Sequence, residues 1–226
     1  MLSARDVSHA FGALRALDGI TFSLARGQTL AIFGPNGAGK TTLLKVLAGL
    51  IRPLHGEARV EGGRRAIGWI GHQSQLYGPL TVRENLRFWA SLYDVPAHEA
   101  ADRGADLLRR LGLERQAGQA VRTLSRGQLQ RAAIARALMH DPKVLLLDEP
   151  FTGLDRLAAE ELRGLLGEMA ATGRATVLVT HNVEEGTELA TDVAFMRSGR
   201  FISQGPRAGR TAGVLAQAYR EVIAGG

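Results

Sequence analysis

The 226 residues are 45% hydrophobic and include no cysteine, which suits one α/β core and excludes disulfides and thiolate metal sites. The formal net charge of +6 comes from scattered residues and short pairs such as Arg64-Arg65 and Arg109-Arg110, so no nucleic-acid partner is expected. No run approaches the roughly 18 apolar residues of a membrane-spanning helix, and Asp6 and His9 stand where a signal peptide needs apolar residues, so the chain is expected to stay inside the cell.

In chain order, residues 3–26 alternate apolar and polar side chains and are broken by Gly12 and Gly19, which predicts short strands. Residues 29–33 form an apolar run of strand length that leads directly into a glycine-rich stretch. Behind it, Leu43, Leu44, Val46 and Leu47 fall at helical spacing, with Gly49 as a stop. Short strands follow at 58–60 and 66–70, around the turn Glu61-Gly62-Gly63. From Thr81 the pattern becomes helical. Thr81-x-x-Glu84 is a capping box opening a helix to about 93, and a second helix runs over 98–111 up to Gly112. Ser125-x-x-Gln128 opens a third, through Met139. A strand at 143–147, a helix at 156–171 and a strand at 176–179 then stand in βαβ order, which predicts parallel pairing. Ser198-Gly199 predicts a hairpin, and 211–223 a terminal helix. The expectation is one unit over 1–226, with a mostly helical insert at about 78–125 and a tail at about 206–226.

The glycine-rich stretch reads Gly34-Pro35-Asn36-Gly37-Ala38-Gly39-Lys40-Thr41, with Thr42 next, and fits G-x-x-x-x-G-K-[ST] at every position. Its place between a strand and a helix is the one the chemistry needs. Glycines let backbone N–H groups close around phosphate oxygens, and the helix N-terminus adds partial positive charge. Lys40 is expected to reach the outer phosphates, and the Thr41 hydroxyl to hold Mg²⁺. Further on, Leu145-Leu146-Leu147-Asp148-Glu149 is a buried strand ending in two carboxylates. Asp148 then sits at the sheet edge within reach of Mg²⁺, and Glu149 can act as a general base on water. Mg²⁺ and a nucleoside triphosphate are therefore expected, but several classes of P-loop protein share these two motifs, so ATP is not selected by them alone.

Leu124-Ser125-Arg126-Gly127-Gln128 resembles LSGGQ, the signature sequence of the ABC ATPases, and the order of motifs is that of the same family: phosphate loop, Gln73, signature, Asp148-Glu149, Leu154-Asp155, His181. The resemblance covers residues 3–205. It implies a P-loop NTPase fold with a RecA-like core, an antiparallel β subdomain and a helical subdomain. It further implies that Phe11 stacks on adenine, that Gln73 touches Mg²⁺ or water, and that His181 contacts the γ-phosphate. Ser125, Gly127 and Gln128 would meet the nucleotide of a second copy in an ATP-dependent homodimer, with Asp155 at the seam. There are two departures from the pattern: Arg126 replaces the signature's first glycine, and the pair Thr152-Gly153 stands where Ser-Ala is more frequent.

The short helical insert between Gln73 and Ser125 resembles those of transporter subunits, which implies an integral-membrane permease as partner and a peripheral place on the cytoplasmic face of the cell membrane. Relatives in DNA repair carry long coiled coils, and a phosphotransferase would lack Ser125–Gln128 and His181. The stretch from Trp69 to Trp89 is similar to the ATPase subunit of the haem exporter of cytochrome c maturation, although drug, lipid and amino-acid transporters share much of it. His72 within it reads as an exposed loop residue and not a haem ligand.

Overall fold

The computed structural model describes residues 1–71 and 73–224, with side chains to Glu221. Two sheets organise it. β1 (Leu2–Phe11), β2 (Leu14–Leu24) and β4 (His55–Val60) form an antiparallel sheet in the order β2-β1-β4. The larger sheet has the order β5-β6-β7-β3-β8-β9. Its first five strands are parallel: β5 (Ile67–Ile70), β6 (Val144–Asp148), β7 (Ala175–Val179), β3 (Thr29–Phe33) and β8 (Asp192–Arg197). β9 (Arg200–Pro206) closes the edge as the antiparallel half of the hairpin expected at Ser198-Gly199.

The apolar runs of β3, β6 and β7 are continuous because both faces of this sheet are covered, as parallel strands require. Along β6, Val144 and Leu146 join the core beneath the small sheet, with Leu17, Ile20 and Leu43. Leu145 and Leu147 point the other way, into the core built with the helices. α1 (Lys40–Leu47) packs on the first face. α4 (Arg126–Leu138) and α5 (Arg156–Ala171) pack on the second, and α6 (Val183–Leu189) and α7 (Ala212–Ala224) cover Ala31, Phe33 and Phe195.

The helical insert contains α2 (Val82–Leu92) and α3 (Ala97–Arg110), whose Val82, Leu86, Leu107 and Leu108 bury against Ile134, Leu138 and Met139 at the end of α4. Both expected capping boxes form. Thr81 and Glu84 exchange their two bonds at the start of α2, and Ser125 and Gln128 do the same at α4.

One local expectation needs correction, and two further features lie outside what the sequence predicts. Gly19 does not end a strand; it sits inside β2 at φ 69, where the pairing with β1 slips between Val7↔Ile20 and His9↔Leu17. The strands on either side of Glu61-Gly62-Gly63 do not belong to one sheet. β4 pairs with β1, while β5 pairs with β6 after a 3₁₀ turn at Gly63–Ala66. α6 was not expected, because a seven-residue helix is too short for a periodic signal.

Candidate nucleotide site

The site is assembled at the C-terminal ends of parallel strands, where α/β sheets place their ligands. Ile32 pairs with Val179, and Val179 with Asp148, so the segments that follow β3, β6 and β7 emerge side by side. The Gly34–Gly39 loop needs its outer glycines. A Cβ on Gly34 would stand 2.3 Å from the Met196 carbonyl oxygen. Gly39 has φ 104, and a Cβ there would lie 2.2 Å from the Ala16 oxygen. The first amides of α1 have no partner further back in their own helix and point out of it, as at any helix N-terminus.

Lys40 is buried, and its Nζ donates to the Gly34 and Pro35 carbonyls at 2.6 and 3.0 Å. Burial pulls its pKa down, against the raising influence of Glu149 and Asp148. Next to it the Thr41 hydroxyl donates to Asp148 Oδ2 at 2.8 Å. Asp148 closes β6 and is 3% exposed. The following residue, Glu149, takes φ 51, a left-handed conformation that costs a non-glycine residue about 1 kcal/mol or more.

That conformation turns the Glu149 carboxylate toward the end of β7. Oε2 accepts from the Thr180 hydroxyl at 3.0 Å. Oε1 lies 3.0 Å from the His181 amide nitrogen and 2.9 Å from its Nδ1. An ionised carboxylate only accepts, so the ring proton that joins them resides on Nδ1. Oε1 has both acceptor positions engaged, whereas Oε2 keeps one open. The Glu149 side chain is 16% exposed and that of His181 is 70% exposed, so the pair faces outward on the histidine side.

Phe11, the residues from Asn36 to Thr42, Asp148 and Glu149 line one cleft of about 440 Å³. Phe11 is half exposed there, edge-on to His9 at 4.7 Å. A larger cleft of about 620 Å³ adjoins it and is lined by Gly34, Arg126, Glu149, His181 and Tyr219 among others. Most of the expected site is thus brought together by the fold. Gln73 is exposed and lines neither cleft, although Gly71 and Ser74 near it line the larger one, and Ser125, Gly127, Gln128 and Asp155 line neither. Ser125 and Gln128 spend their side chains on each other's backbone at the start of α4. Asp155 caps α5 through Ala158 N–H at 2.9 Å. His72 lies outside the described residues.

Three participants escaped the sequence reading. Thr180 was visible as the polar residue between the apolar β7 and His181. Arg15 lines the smaller cleft from the β1–β2 hairpin and pairs with Asp18 at 3.2 Å. Tyr219 arrives from α7, and no local pattern announces a helix that meets the site from the end of the chain.

The chain is similar to known proteins in sequence and in fold. The family model described as ABC transporter matches residues 17–152. The probable sulfate/thiosulfate import ATP-binding protein CysA of Chlorella vulgaris is 37% identical over 209 residues, 88% of this chain and 89% of that protein. The ABC transporter ATP-binding protein NatA of Bacillus subtilis is 32% identical over 219 residues, covering 91% and 89%. Among solved structures, an ATP-binding subunit of an ABC transporter superposes with a TM-score of 0.90 at 31% identity, over 99% of both chains. The dimeric ATP-binding cassette MJ0796, in a post-hydrolysis state bound to ADP and Pi, reaches 0.85 at 27% identity over 92% of this chain and all of that one. With its phosphate loop, strand-end carboxylates and P-loop NTPase fold, the chain belongs to the ABC transporter family as an ATP-binding, ATP-hydrolysing subunit.

Proposed function

We propose that this subunit hydrolyses ATP in the cleft between Phe11 and Glu149 and so powers a membrane transporter, working as a homodimer on the cytoplasmic face of the membrane against a permease. The observation that carries this reading is the Glu149–His181 contact beside the Thr41–Asp148 bond. Thr41 and Asp148 offer the hard oxygen ligands that suit Mg²⁺, an ion that ordinarily keeps few protein ligands and completes its shell with water and phosphate. When bound there, Mg²⁺ would neutralise charge on the phosphates. Lys40 and the amides of residues 36–42 hold the phosphates, and Phe11 offers its ring to the base.

Glu149 Oε2, with one acceptor position open, takes a proton from water. Thr180 and His181 hold the carboxylate in place while it does so. Ser125, Gly127 and Gln128 would meet the partner copy's nucleotide with the N-terminus of α4, and Asp155 would lie at the seam while capping α5. Gln73 is exposed and lines neither cleft, so its contact with Mg²⁺ or water would need its side chain to turn inward.

Haem export for cytochrome c maturation is the cargo reading we favour, supported by the Trp69-to-Trp89 stretch; a drug, lipid or amino-acid transporter is the alternative. The test is affinity purification of tagged Glu149→Gln protein with ATP from detergent-solubilised membranes. A co-purified polytopic permease supports the transporter role, and cytochrome c maturation proteins support haem export. Ribosomal or DNA-bound partners without any membrane protein would overturn both.

A further inference from the structure

The two departures from the family's sequence pattern, Arg126 and Gly153, lie against each other. A Cβ on Gly153 would stand 3.1 Å from Arg126 Nε, 3.2 Å from its Cγ and 3.3 Å from its Cδ. An alanine methyl here would press on the arginine stem, which would have to give by a few tenths of an ångström. Gly153 also takes φ 82, which a side chain at this position would resist.

This contact is one of three between the first turns of α4 and the segment after Glu149. A Cβ on Gly127 would lie 3.0 Å from the Gly153 oxygen, and Gln130 Nε2 donates to the Pro150 carbonyl at 2.9 Å. Gln130 stands four positions after Arg126 and three after Gly127, so it neighbours both on the helix surface, and the three contacts grip the segment together. That segment begins at Glu149, whose carboxylate is fixed at its other side by Thr180 and His181. Glu149 is thus held directly from the end of β7, while α4 touches the segment that follows it, at Pro150 and Gly153.

We propose that Arg126 and Gly153 are a matched pair through which α4 positions Glu149. Arg126 is then a positioning residue: its stem packs the turn, and its action on the reaction passes through the carboxylate. The proposal rests on the reading that this cleft hydrolyses ATP.

The experiment is a double-mutant cycle of Arg126→Gly and Gly153→Ala, read as kcat and KM for ATP and as thermal melting without nucleotide. The backbone strain of an alanine at φ 82 is present in both proteins that carry Gly153→Ala, so it cancels in the cycle. Each single substitution is expected to lower kcat roughly fivefold or more with KM within about twofold, the mark of a misplaced catalytic group. The double variant still carries the strained alanine, so it is expected to lose no more than Gly153→Ala alone, and the pairing shows as losses that combine less than additively. Arg126→Lys, which keeps a long stem, is expected to retain kcat. Additive losses in kcat, or effects confined to melting temperature, would overturn the pairing while leaving the ATPase reading intact. A wild-type protein that hydrolyses no ATP would overturn that reading and the positioning role with it.

Discussion

Glu149 and His181 meet through two contacts on one carboxylate oxygen, the ring Nδ1 at 2.9 Å and the main-chain nitrogen at 3.0 Å. The double contact makes the geometry of the end of β7 a determinant of where the carboxylate points. Any change in this strand end is transmitted to Glu149.

Glu149→Gln is expected to lower kcat about 10²- to 10⁴-fold, the range of general-base catalysis, with ATP affinity retained. The amide keeps the size and an acceptor oxygen but cannot take the proton. His181→Ala removes one contact to Oε1 and leaves the main-chain one, so its loss in kcat is expected to be the smaller of the two. Steady-state kinetics beside equilibrium binding of a fluorescent ATP analogue checks both. Equal losses in binding and turnover would count against the assignment.

Phe11 is half exposed and faces the phosphate loop across the smaller cleft. Stacking of a base on an aromatic ring contributes about 1–3 kcal/mol, so Phe11→Ala is expected to weaken ATP binding about tenfold, with Phe11→Trp retaining it. Titration with ATP and with inorganic triphosphate separates the two parts of the ligand. Only the nucleotide should lose affinity.

Arg136 is a buried cation that leans on structure instead of a carboxylate. It is 5% exposed, donates to the Trp69 carbonyl at 2.5 Å and lies 4.9 Å from the centroid of the Trp89 ring. Burial pulls its pKa down to about 10. Arg136 thus joins α4 to the end of β5 and to α2, and Trp89 itself donates to the Gln75 carbonyl at 3.2 Å. Arg136→Ala loses stem packing, the ring contact and the bond to a carbonyl, which together cost about 2–4 kcal/mol. Arg136→Lys is expected to recover little of this, because an ammonium lacks the flat guanidinium face. Urea unfolding at pH 7 provides the measurement.

His140 is stacked on Tyr93 at 3.7 Å between ring centroids, with Nε2 3.0 Å from the Ile67 carbonyl and, among the described residues, no hydrogen-bond partner for the buried Nδ1. Its pKa is lowered chiefly by burial, with Arg136 and Arg103 adding to the effect and the Ile67 carbonyl and Asp141 opposing it. The unfolded chain therefore takes up the proton first as pH falls, and stability contributed by the neutral ring is lost from about pH 6.5 downward. His140→Gln is expected to flatten that part of the stability–pH curve. Urea midpoints between pH 5 and 8 for both proteins would reveal it, and parallel curves would rule His140 out.

The strongest features of the fold were legible because they depend on neighbours in sequence. The phosphate loop, both capping boxes, the βαβ unit around α5 and the late hairpin each carry their signal within a few residues. Asp148 and Glu149 were found the same way, as carboxylates at the end of an apolar strand. The βαβ rule also foretold that β6 and β7 run parallel.

What no local pattern carries is the partner of each element. Only the tertiary structure decided that β4 and β5 go to different sheets, because pairing depends on which edges are free. Only it turned Thr180 and His181 onto Glu149, and brought Tyr219 from α7 to the cleft. It also decided that Arg126 and Gly153, 27 positions apart by their numbers, touch. The physical reason is the same in each case. Helix caps, turns and burial periodicity act over a few residues, whereas strand order and the closing of gaps between side chains depend on the whole packed core.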